Sequence, residues 1–78
     1  MFDQVVGVIA DVMHVSRDII TKDTLLIEDL GVDSLDMYRI MLSLEDVLDA
    51  QLQPDTVDRK VRTVGDLCDR VKRALAAI

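Results

Sequence analysis

SLDMYRIMLSLEDVLDA, residues 34–50, contains no glycine or proline and is built largely of helix formers. Wound at about 100° per residue, it separates into two apolar stripes. Met37, Met41, Leu44 and Leu48 form one, widened by Ile40 and Val47. Leu35, Tyr38 and Leu42 form the second, roughly on the other side, surrounded by Arg39, Glu45, Asp46 and Asp49. A helix that buries a single face needs one stripe. Two stripes imply either a helix embedded on both sides or an exposed docking strip with an acidic border.

Upstream, Phe2, Val5, Val6, Ile9, Val12 and Met13 recur with helical spacing, which predicts a first helix over 3–15 with His14 near its C-terminal end. Gly7 within it marks a close packing contact or is simply tolerated. Residues 16–33 show no sustained period, yet Leu25, Leu26, Ile27 and Leu30 are too apolar for a free linker. A loop this long is expected to lie across the helices with those side chains turned inward, and Gly31 supplies a sharp reversal. Downstream, Pro54 suits the start of a short helix over 55–60. Thr63 and Asp66 have capping-box spacing, and Val64, Leu67, Cys68, Val71, Leu75 and Ile78 continue as the apolar face of a last helix. Arg70, Lys72 and Arg73 fall late in it, where positive charge complements the helix dipole. The expected architecture is all-α, a four-helix bundle of three longer helices and one short helix, with a long loop between helices one and two.

The chain has 78 residues, 50% of them apolar and 31% charged, enough for one domain over 1–78 and too apolar for disorder. A core this small rarely shelters an active site, which favours a binding or carrier module over an enzyme. Nine basic against fifteen acidic residues give a net charge of −6. Phosphate backbones are repelled by that field, and with Phe2 and Tyr38 the only aromatics there is no base-stacking surface, so no nucleic-acid partner is expected. No apolar run reaches the ~20 residues of a membrane span, and the start lacks a signal's basic flank. The reading is a cytoplasmic protein, without membrane association and monomeric. One cysteine, Cys68, excludes an internal disulfide, and one histidine, His14, excludes a two-histidine metal motif. Charge is also unevenly spread. Glu28, Asp29, Asp33, Asp36, Glu45, Asp46 and Asp49 face Arg39 alone, net −6 over 28–49, whereas residues 59–78 carry net +4. Such a field steers encounters with basic surfaces.

Gly31-Val32-Asp33-Ser34-Leu35-Asp36 is the segment where chemistry can sit. Ser34 opens a long helix, where free N–H groups and the positive dipole end gather. Serine there is an ordinary N-cap. It is also a sensible carrier of a phosphodiester, since the helix end favours the anion and the loop keeps it accessible. With Glu28-Asp29-Leu30-Gly31-Val32 before it, Leu44-Glu45-Asp46 after it and Thr63-Val64-Gly65-Asp66-Leu67 further on, the Asp33-Ser34-Leu35 triplet resembles the attachment motif of the acyl carrier protein family, and the resemblance covers essentially the whole chain.

That resemblance implies a 4′-phosphopantetheine arm on Ser34, transferred from coenzyme A by a phosphopantetheinyl transferase and ending in a thiol that holds acyl groups as thioesters. It implies partners that are acyl-transferring, condensing and processing enzymes with basic docking patches. Leu35, Tyr38 and Leu42 would anchor them, with Asp33, Asp36, Glu45 and Asp46 meeting their arginines and lysines. Half-buried bundle positions remain the other reading of that apolar stripe. Fatty acid biosynthesis is the simplest pathway; a specialised polyketide, nonribosomal or other acyl-modification carrier is the alternative, and a helical interaction domain without an arm is the reading from another class. Arg39, Val47, Leu48, Arg59 and the longer 49–54 connection depart from the family's pattern and bear on which enzymes recognise the surface. An EF-hand starting at Asp29 fails, because position six is Ser34 and position twelve is Ile40. Cys68 on an apolar face reads as a buried structural thiol, and the four methionines as packing.

Overall fold

Asp33 fixes where α2 (Ser34–Leu48) begins. Its backbone is extended (φ −105°, ψ −174°), and its Oδ1 accepts the Asp36 N–H at 2.8 Å. Asp36 returns the bond, its Oδ2 accepting the Asp33 N–H at 3.2 Å. This capping box satisfies donors that the helix itself leaves unpaired and sets two carboxylates at the positive end of the dipole. Ser34 is therefore the first helical residue and not the cap, which corrects the sequence reading. At the other end Asp49 takes left-handed backbone (φ 50°) and closes the helix.

The computed structural model describes residues 1–52 and 61–76. Three helices carry them: α1 (Phe2–Met13), α2 and α3 (Val64–Ala76), with a 3₁₀ turn over Arg17–Ile19. Among the described residues there is no strand beyond one isolated antiparallel bridge, Leu25 to Thr63. The short helix expected over 55–60 lies outside the described residues, as do Arg59 and Ile78 of the sequence reading. No helix is long and apolar enough to cross a membrane among the described residues.

α1 touches both α2 and α3, so one narrow stripe cannot serve it. Val5, Val6 and Ile9 are buried as the spacing predicts, and Val8 and Ala10 join them. Phe2, at the helix start, is left exposed. The helix ends at Met13 rather than residue 15 because His14 adopts left-handed backbone (φ 56°) and sends its N–H back to the Ala10 carbonyl. A Cβ at Gly7 would meet the Arg17 guanidinium at 3.7 Å, an ordinary contact, so glycine there is tolerated and not required. From α2 come Met37, Ile40, Met41 and Leu44. Val47 does not widen that stripe as expected: it is 51% exposed. Val64, Leu67, Cys68 and Val71 of α3 join them, with Ile20, Leu26, Val32 and Leu52 from the segments between helices.

The long loop is stitched to the entrance of α3. The Leu26 N–H donates to the Arg62 carbonyl (2.9 Å), the Val64 N–H to that of Thr24 (2.9 Å), and the Gly65 N–H to that of Lys22 (2.8 Å). A Cβ on residue 65 would stand 3.0 Å from that Lys22 oxygen, so any other residue would push the two segments apart by a few tenths of an ångström. Thr24 is buried here, its Oγ1 accepting the Thr21 N–H at 2.8 Å. Leu26 is buried and Leu25 and Leu30 half-buried, as expected of a packed loop. Ile27 is the exception, 66% exposed, because the 26–30 turn puts Leu26 and Leu30 on one side and Ile27 on the other. Gly31 (φ 71°) then reverses the chain toward α2.

Thr63 and Asp66 form the expected capping box. The Thr63 Oγ1 accepts the Asp66 N–H (3.0 Å), and Asp66 Oδ2 accepts the N–H groups of Thr63 and Arg62 (3.1 Å each). These backbone donors hold the Asp66 carboxyl below its ordinary value of 3.8. A lowered folded pKa stabilises above the unfolded pKa and is lost as pH falls through the folded one. Asp66→Asn is thus expected to be less stable than the parent in urea melts at neutral pH, with the gap closing below about pH 4. Asp33→Ala, which removes the cap of α2, is expected to cost ~1 kcal/mol in the same measurement.

Candidate functional site

Ser34 stands exposed in the first turn of α2, between the loop reversal at Gly31 and the buried side chain of Met37. Because Asp33 Oδ1 makes the capping bond, the serine hydroxyl is left out of capping. Its position is nonetheless well held. The Val32 side chain is buried, its N–H donates to the Leu26 carbonyl at 3.0 Å, and the Met37 N–H donates to that of Asp33 at 2.9 Å. A buried residue on one side and a closed helical turn on the other leave the hydroxyl on a rigid corner of the fold.

The surroundings fit a phosphate-linked group. The N–H groups of Ser34 and Leu35 belong to the first turn and have no carbonyl of the helix to bond. Asp33 and Asp36 are already engaged with each other's backbone, and Asp36 is half-buried. A Cβ at Gly31 would meet nothing within 4 Å, so open space adjoins the corner. The carboxylates nearest the hydroxyl in sequence, Asp33 and Asp36, are both held in the capping box. His14, the chain's one histidine, is exposed just beyond the end of α1. Among the described residues no group of three or more His, Cys, Asp or Glu side chains could hold a metal ion.

Along α2 the second apolar stripe faces solvent. Leu35 is 57% exposed, Tyr38 47% and Leu42 42%. Asp33 and Asp46 are exposed beside it, while Glu45 is half-buried. Near the end of the helix Leu42, Glu45, Asp46, Asp49 and Gln51 line a shallow groove of about 550 Å³. The arrangement can present a small apolar patch with a charged rim, the usual anatomy of a transient interface.

Two side chains expected to turn inward, Ile27 and Val47, are exposed instead. Ile27 sits in the turn that feeds α2, its carbonyl accepting the Gly31 N–H at 2.9 Å. The spacing of Leu26 and Leu30, one helical turn apart, was the signal that could have separated it from them. Val47 lies on another side of α2, lining a second groove with Gly7, Val8 and Arg17. Cys68 is buried, and its burial pushes the thiol's pKa up.

Comparison with known proteins bears on this corner directly. A family model described as "Phosphopantetheine attachment site" matches residues 3–71. The acyl carrier protein of Clostridium perfringens (strain 13 / Type A) is 38% identical over 71 residues, 91% of this chain and 92% of that protein. That of Lactobacillus acidophilus is 38% identical over 72 residues, 92% and 89% of the two chains. That of Syntrophobacter fumaroxidans is 35% identical over 74 residues, 95% and 90%. The group attached in this family is 4′-phosphopantetheine, and its members are carriers that work with partner enzymes and are not themselves catalysts. A bundle with a serine corner at a helix N-terminus, matched nearly end to end by such relatives, belongs to the acyl carrier protein family.

Proposed function

We propose that Ser34 is the attachment residue and that the chain carries acyl intermediates of fatty acid biosynthesis on a 4′-phosphopantetheine arm. The observation that carries this is the exposed hydroxyl in the first turn of α2, held by the Asp33–Asp36 capping box and left out of capping itself. The arm supplies a thiol that holds acyl groups as thioesters. This chain's own residues do the rest. Ser34 provides the nucleophilic oxygen for loading, and the first-turn N–H groups and helix dipole stabilise the phosphodiester's charge. Activation of the hydroxyl belongs to a phosphopantetheinyl transferase using coenzyme A, because the neighbouring carboxylates of Asp33 and Asp36 are engaged in the capping box.

Docking falls to α2. Leu35, Tyr38 and Leu42 are the apolar anchors, and Asp33, Asp36, Glu45 and Asp46 meet basic side chains of acyl-transferring, condensing and processing enzymes. The exposure of all three anchors supports this over the embedded-helix reading. The carrier is proposed to act as a single domain over 1–78, as a monomer in the cytoplasm. A short helix over 55–60, begun by Pro54, would complete a four-helix bundle. A dedicated carrier of a specialised acyl pathway is the second reading, favoured by the exposed cation Arg39 within the docking strip.

Incubation with coenzyme A and a broad-specificity transferase is expected to add one phosphopantetheine to the intact mass. Ser34→Ala should abolish the gain while leaving the thermal melt unchanged, since Asp33 retains the cap. Absence of any gain with several transferases would overturn the assignment. Glu45→Lys combined with Asp46→Lys is expected to slow loading about tenfold at low salt, with the difference narrowing as salt rises. Equal rates at low salt would remove these acids from docking.

A further inference from the structure

Arg39 is the single cation among the charged residues of 28–49. It is exposed, and it follows Leu35 by four positions and precedes Leu42 by three. Residues at those spacings are neighbours on a helix surface, so Arg39 borders two of the exposed leucines. The helix dipole does not account for it there. A cation favours the last turn of a helix, where α2 has acids and no base. The nearest carboxylate toward the N-terminus, Asp36, is already bonded to the Asp33 N–H.

A charge that borders the apolar anchors of a contact patch sets which charge a partner can place opposite it. Opposite a lysine or arginine it repels; opposite a carboxylate its planar fork makes paired, charge-assisted bonds. We infer that Arg39 is a specificity-determining residue of the α2 face. It selects a partner enzyme that presents a carboxylate inside an otherwise apolar and basic docking surface, and it disfavours partners that are basic throughout. The inference rests on the docking reading given above and names the chemistry of the partner. Were Arg39 only balancing the acids of its own helix, replacing it would change the melting temperature and leave partner preference untouched.

The test uses the full chain and a phosphopantetheinyl transferase whose carrier-binding surface carries basic charges only. Loading of Ser34 is followed by intact mass as kcat/KM for the parent, Arg39→Gln and Arg39→Glu, with thermal melts in parallel. Arg39→Glu is expected to be loaded about three- to tenfold faster than the parent at low salt, with Arg39→Gln between them and all three converging at high salt. In a second arm each basic docking residue of the transferase is replaced in turn by glutamate. At one position the replacement should speed loading of the parent and slow that of Arg39→Glu, a reversal of sign that direct pairing produces. Loading of Arg39→Glu no faster than the parent, or no position with reversed sign, overturns the inference while the attachment reading stands. A parent chain that is never loaded removes both.

Discussion

Three backbone hydrogen bonds between the loop at 22–26 and the segment at 62–65 hold the serine corner in place. Residues 16–33 are too long and too aperiodic to organise themselves, and an unpaired buried peptide group would cost about as much as a lost hydrogen bond. The entrance of α3 offers the missing partners, and Gly65 lets the two segments approach closely enough to use them. Once Leu26 is pinned, its carbonyl receives the Val32 N–H, and Val32 in turn positions the cap of α2. The serine corner is thus the last link of a chain of backbone contacts that begins at the far end of the sequence.

The same economy explains why α2 can present an apolar strip to water. Its inner residues, Met37, Ile40, Met41 and Leu44, already fill the space against the rest of the core. Each fully buried side chain of this kind is worth roughly 1.5–3 kcal/mol. That burial is enough to seat the helix without recruiting Leu35, Tyr38 or Leu42, which stay available to a partner. α1 plays the opposite part: touching both other helices, it buries residues on more of its circumference and presents fewer apolar side chains outward.

Much of this was legible in the sequence where local chemistry and periodicity agree. The inner stripe of α2, the Thr63–Asp66 cap and the reversal at Gly31 all follow from residue types at fixed spacing. So did the existence of two stripes, although solvent exposure was needed to show that the second is not embedded. What escaped depends on tertiary neighbours. Val8 and Ala10 are buried because α1 has two partners, a fact no single-helix pattern contains. Val47 is exposed because the core stops at Ile40 on that side. The cap moved from Ser34 to Asp33 because two aspartates spaced for reciprocal bonding outcompete one hydroxyl, and that displacement is what leaves the serine unencumbered.

The burial of Cys68 carries a consequence for any thioester chemistry conducted on this surface. It is the chain's one cysteine, packed on the inner side of α3, and its environment disfavours the thiolate that alone attacks acyl carbon or disulfide sulfur. Cargo therefore has no native sulfhydryl onto which it can stray, and oxidation has no exposed pair to join. The scaffold is chemically mute, so that whatever sulfur is displayed outside is the one grafted on.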